Sequence, residues 1–223
     1  SFIMSTLRLY FKHLTSDTQT NWIFVIPSLI LLALFGIPLL ALILQATQTA
    51  FFEHALTKEA IAALQLSLTT SLLSVGITLI LGTPLAYSLA RWSFAGKKHV
   101  EMLVDLPVVL PPAVAGLALL IAFGRQGLVG QFFNQIGIHL PFTTAAVVIA
   151  QTFVAAPLYI RAARIGFADI DTQLEEAAYV EGANQWQLFS EVMFPMARRA
   201  ITSGAILTWT RALGEFGATI LFA

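Results

Sequence analysis

Apolar residues along this chain neither alternate nor fall into narrow helical stripes; they run on in long blocks separated by short polar stretches. The blocks cover about residues 22–44, 61–89, 102–123, 143–165 and 200–223. Each approaches or exceeds the ~20 residues that a helix needs to cross ~30 Å of hydrocarbon. Lipid cannot satisfy open backbone groups, and no barrel-like alternation is present, so the blocks are expected to be helices. The second is interrupted by Gly82 and Pro84, the third carries Pro107, Pro111 and Pro112 near its start, and the fourth contains Pro157. The pattern predicts an all-α polytopic membrane protein with five spans. It is parsed as a polar segment 1–21, a first span with its following loop 22–59, and a core 60–223.

One polar stretch stands out, EEAAYVEGANQWQLFSEVMFP at 175–195. Thr172-Gln173-Leu174-Glu175 has the form of a capping box, which starts a short helix. Gly182 can end that helix in the left-handed conformation, and Asn184 can cap a second one. Trp186, Phe189 and Met193 would share one face of that second helix. Pro195 suits the first turn of the span that follows. A bent pair of short helices is therefore expected, either as a plain connector or as a protrusion that meets a partner.

Composition supports a lipid environment. Hydrophobic residues make up 57% and charged ones 11%, with a mean hydropathy of +0.81; soluble domains carry about 25% charged residues. The net charge of zero gives no broad basic field for nucleic acid. There is no cysteine, which excludes disulfides and thiolate chemistry. His13, His54, His99 and His139 show no metal-ligand spacing. Orientation follows from Lys and Arg. With a cytoplasmic N-terminus, Arg8, Lys12, Arg91, Lys97, Lys98, Arg161, Arg164, Arg198 and Arg199 lie inside, and only Lys58 and Arg125 outside. The bent pair is then cytoplasmic. The first apolar run has no A-x-A-like cleavage site and is read as a retained span. The chain begins without Met and stops within an apolar run, so trimmed ends are expected.

Glu176-Ala177-Ala178, three residues, Gly182, nine residues, then Val192, one residue, Phe194 and Pro195 resemble the EAA loop of ABC-importer permeases, E-A-A-x3-G-x9-I-x-L-P, with Val for Ile and Phe for Leu. GTPLAYSLAR (82–91), LPVVLPPAVAGLALLIAFGRQGLVG (106–130) and RALGEFGATILFA (211–223) resemble molybdate, tungstate and sulfate permeases, and ALGEFGAT is closer to the molybdate group. The resemblance implies a type I importer transmembrane domain, with a further span after the fifth that this sequence lacks. It implies a homodimer that imports an oxyanion, molybdate first, with sulfate, thiosulfate or tungstate as alternatives. It further implies a periplasmic or lipoprotein binding protein outside and separate ATPase subunits inside, which bind the ATP and Mg; this chain binds no cofactor. The loop 172–195 would be the coupling helix, carried by Glu175, Glu176, Ala177, Ala178, Gly182 and Pro195. The location implied is the plasma (inner) membrane.

Residues for transport itself are fewer. Arg211 and Glu215 lie four apart in the fifth block, where charge is expensive. They either meet an anion or form a structural ion pair. Thr208 and Thr210 could line a pathway or bond back to their own backbone. Ser67, Thr70, Ser71 and Ser74 form a small polar stripe suited to close helix packing or to a translocation surface. Pro111 and Pro112, with Pro107, mark either a hinge or gate or a fixed kink. Gly124, Arg125, Gly127 and Gly130 form an external turn that either receives a binding protein or is simply solvated. No G-x-x-x-x-G-K-[ST] occurs, because position 91, ahead of Gly96-Lys97, is Arg; the chain is not the ATPase, and nothing marks it as an enzyme. The rivals from other classes are an ATP-independent transporter or channel and a membrane scaffold.

Overall fold

The computed structural model describes residues 22–46, 57–215 and 217–223. The expected segment 1–21, with Arg8, Lys12 and His13, lies outside them, as does His54. By its contacts the chain divides into units 1–61 and 62–223.

Among the described residues every regular element is a helix. α1 spans Trp22–Ala46, and α2 spans Lys58–Arg91. Three helical stretches are long and apolar enough to cross a membrane: Val25–Ala46 in α1, all of α2, and α6 at Thr144–Ala168. α3 (Lys97–Val109) and α4 (Pro112–Phe123) together make a fourth if counted as one span, but they are bent by 120°. α5 is a short turn of helix at Gly130–Gln135. α7 spans Thr172–Val180 and α8 Gln185–Gln187; a π-helical stretch, Leu188–Met193, leads into α9, Phe194–Leu213. α10 is Gly217–Phe222.

Three expected spans need correction. The second is not interrupted: α2 runs unbroken through Gly82 and Pro84. Gly82 serves close packing, since a Cβ there would lie 3.0 Å from the ring of Tyr159 on α6. The third is two helices. Pro111 and Pro112 force the residues before them out of the helical region, and Leu110 and Pro111 are both extended, with ψ of 134° and 141°. The fifth starts earlier, at Phe194, and breaks after Leu213. Gly214 closes α9, and Glu215 accepts the amide of Ala218 at 2.7 Å to start α10.

Small residues let the helices of unit 62–223 approach closely. α6 buries Ala146, Ala150, Ala155 and Ala163. Tyr159 is fully buried between Gly82 and Gly204, where a Cβ would meet its ring at 3.0 and 3.2 Å. Its hydroxyl pairs with Thr83 at 2.5 Å, and Thr83 in turn donates to the Leu79 carbonyl. One core cluster gathers Tyr159, Phe167, Leu188 and Met193 at the Arg91 end of α2; another gathers Leu119, Val154 and Phe222 around α4, α6 and α10.

Candidate functional site

The segment 171–195 forms a bent helical knob, and local chemistry explains each turn. Asp171 caps α7, its carboxylate accepting the Gln173 amide at 3.0 Å. The expected capping box on Thr172 is thus displaced by one residue, because Asp171 is the stronger acceptor and Glu175 is engaged elsewhere. Gly182 ends α7 at φ 88°. The Ala183 amide bonds the Ala178 carbonyl at 2.9 Å and the Gly182 amide bonds that of Tyr179 at 3.0 Å, which is a Schellman closure. Nothing lies within 4 Å of a Cβ at Gly182, so glycine is needed there for its backbone alone. Asn184 caps α8 in a complete capping box with Gln187, both bonds at 2.9 Å. Pro195 sits in the first turn of α9.

The aromatic row is re-registered. A π-helix brings residues five apart onto one face, and Leu188 and Met193 are both fully buried. Trp186 leaves the row and is 71% exposed. Phe189 is the hub instead, with ring centroids 5.2 Å from Tyr87, 6.2 Å from Phe167, 5.9 Å from Trp186 and 6.0 Å from Phe194.

The two adjacent glutamates point apart. Glu176 and Ala177 are exposed, as are Tyr179, Val180 and Gly182, and Ala178 is half-buried. Glu175 turns inward, its Oε1 2.9 Å from Arg91 Nε. Arg91 also donates from Nη2 to the Ile170 carbonyl at 2.6 Å. A cleft of about 240 Å³ between the arms is lined by Ala178, Glu181, Gly182, Gln187, Glu191 and others. Two further ion pairs fix α3 to α6 at the same end: Arg161 to Asp105 and Arg164 to Glu101, each at 2.8 Å. Neither these pairs nor Arg91–Glu175 was anticipated. The one local signal is that Glu101 and Asp105 lie a helical turn apart, as do Arg161 and Arg164.

The remaining candidates fall into two groups. Thr70, Ser71 and Ser74 are buried where α2 meets α6 and α9; Ser67 is half-buried. Thr70 bonds back to Leu66, Ser71 accepts the Trp209 indole at 3.2 Å, and Ser74 pairs with Thr152 at 3.0 Å. Thr208 donates to the Ala155 carbonyl on α6. Thr210 bonds back to Leu207. Ser71, Ser74 and Thr208 thus join helices, while Thr70 and Thr210 bond within their own. The second group sits at two helix breaks that abut: a Cβ on Gly217 would lie 2.7 Å from Pro112, and one on Gly116 would lie 2.7 Å from the Ala218 carbonyl. There Arg211 pairs with Glu215 at 2.6 Å, and the Glu215 carboxylate is buried. Both its oxygens are committed, one to Arg211 and one to Ala218. The pair staples the α9–α10 break. The turn at Gly124–Gly130 folds back on α4, with the Val129 amide on the Ala122 carbonyl, and leaves Arg125 exposed. No cluster of His, Cys, Asp or Glu able to hold a metal occurs among the described residues.

The knob thus sits at the arginine-rich end of a bundle of apolar helices. Residues 82–223 match the family described as "Binding-protein-dependent transport system inner membrane component". The chain belongs to that family. It is 40% identical over 190 residues to "Probable transport system permease protein NifC" of Clostridium pasteurianum, covering 83% of this permease and 65% of that protein. It is 37% identical over 207 residues to "Molybdenum transport system permease protein ModB" of Mycobacterium tuberculosis, covering 91% and 76%. To "Probable sulfate transport system permease protein cysT" of Chlorokybus atmophyticus it is 34% identical over 213 residues, covering 94% and 74%. The fold is that of a bacterial ABC transporter involved in the import of the acidic polysaccharide alginate, with a TM-score of 0.71 at 18% identity over 93% of this chain and 85% of that one. The permease is thus a multi-pass membrane transport component and not an enzyme.

Proposed function

We propose that this chain is the permease subunit of an ATP-driven importer for a tetrahedral oxyanion, with molybdate as its substrate. Two copies form the pathway, a binding protein delivers the anion outside, and separate ATPase subunits bind ATP and Mg inside. The plasma membrane is the location, with the N-terminus cytoplasmic. The observation that carries the reading is the knob: Glu176, Ala177, Tyr179 and Val180 are presented to solvent on a short helix whose ends are tightly capped. A preorganised, exposed helix loses little entropy when a partner docks on it. It also lies among the basic residues that mark a cytoplasmic face.

The test is reconstitution. Gly182→Val and Glu176→Lys should weaken co-purification with the ATPase at least tenfold while leaving membrane insertion intact. Normal co-purification of both removes the docking role. Proteoliposomes loaded with ATP should take up molybdate only when the ATPase is present; uptake without it means a different class of transporter. Sulfate is the rival substrate, favoured by the similarity to cysT. Binding-protein competition between molybdate and sulfate decides between them.

A further inference from the structure

We infer that Arg91 is the pin through which the knob moves α2, a positioning role that rests on the docking reading above. Tyr87 and Arg91 lie four apart on the last turns of α2 and share one face. Between them they hold both arms of the knob. Arg91 grips the first arm through Glu175 and the chain entering it through the Ile170 carbonyl, at 2.9 and 2.6 Å. Tyr87 stacks edge-on against Phe189 of the second arm and against Phe167 at the end of α6, at 5.2 and 5.4 Å.

The pin is built to be stiff. The Arg91 side chain is 9% exposed, and its Nε and Glu175 Oε1 meet as a close ion pair, neither atom making a regular hydrogen bond among the described residues. A charge so poorly solvated is costly to leave unpaired, so separating the knob from α2 is strongly opposed. The two acceptors are held by two nitrogens of one planar guanidinium, a fixed fork that a lysine ammonium does not reproduce. Glu175 and Glu176 therefore divide the work: Glu176 faces the partner and Glu175 faces the span. A push on the exposed side is delivered to α2, whose packing on Tyr159 through Gly82 and Thr83 carries it to α6.

Two measurements on the full permease with its ATPase separate a pin from a merely structural contact. The variants are Arg91→Gln, Arg91→Lys and Glu175→Gln; Glu175→Gln keeps the Ile170 bond and serves if Arg91→Gln does not accumulate. Amide hydrogen exchange across 172–180 should accelerate by about tenfold or more in Arg91→Gln, and less in Arg91→Lys. Stimulation of ATP hydrolysis by the loaded binding protein should fall by about tenfold, within the usual range of coupling between sites, while ATPase co-purification stays at the wild-type level. Unchanged exchange overturns the pin whatever transport does. Accelerated exchange with unchanged stimulation overturns its role in coupling. Accelerated exchange in Arg91→Gln, together with a wild type that shows no ATP-driven uptake, keeps the pin and removes the importer reading instead.

Discussion

Single positions in this chain are set by backbone conformation or by a neighbouring ring, and the two causes predict different losses. Gly182 has φ 88° and open space around it, so a side chain there costs the left-handed penalty of about 1–2 kcal/mol and no clash. Gly82 is the reverse. It lies in an unbroken helix, and a Cβ would press on the ring of a fully buried Tyr159. Gly82→Val should therefore overpack the α2–α6 seam and cost about 1–3 kcal/mol, read as a lowered melting temperature of the detergent-purified protein. Tyr159→Phe should lose less, since it removes only the bond to Thr83, worth about 1 kcal/mol. A loss for Gly82→Val no larger than for a change at an exposed position such as Leu81→Val would show that the seam is loose.

Elements end where chemistry local to them says so, and this decides what the sequence discloses. Gly182, Asn184 and Pro195 act within a turn of their own positions, and the structure uses all three as their residue types predict. The Asp171 cap competes with Thr172 for the same role one position away, a choice that spacing alone leaves open. Pro111 and Pro112 announce a disturbance, but only the packed structure shows a 120° bend in place of a kink. Arg91–Glu175 joins residues remote in sequence, so no periodicity reveals it. The break between α9 and α10 is likewise hidden, because Arg211 and Glu215 at a spacing of four read as a pair across one turn of an unbroken helix. Glu215→Ala should expose that role: it frees the Ala218 amide and leaves Arg211 without its partner, at a cost of about 1–3 kcal/mol, discounted because Arg211 is partly solvated. Glu215→Gln keeps an oxygen for Ala218 and should recover part of the loss. Thermal melting of the two purified variants checks the order; equal melting temperatures would mean that the cap contributes nothing.

At the scale of the whole molecule, the asymmetry of charge and the placement of the knob make one joint statement about sidedness. Arg91, Lys97, Lys98, Arg161, Arg164, Arg198 and Arg199 belong to helix ends linked to one another by the Glu175, Asp105 and Glu101 pairs or by direct continuation into the knob. The turn carrying Arg125 and Leu128 follows α4, which packs beside the N-terminal half of α6 through Ala146 and Ala150. α6, at 25 residues, is roughly 37 Å long, enough to cross the hydrocarbon, and the two regions lie towards its opposite ends. The proposed orientation puts these ends in opposite compartments, with the knob in the cytoplasm as the Lys and Arg counts favour. The absence of cysteine makes the check direct. Val180→Cys and Leu128→Cys both replace side chains that are 89% exposed. In intact cells stripped of any outer barrier, an impermeant maleimide should modify Leu128→Cys at once and Val180→Cys only after permeabilisation. The opposite pattern would put the knob outside, where no ATP-hydrolysing partner could reach it, and the coupling roles of Glu176 and Arg91 would fall together, leaving the Arg91–Glu175 contact as a structural one.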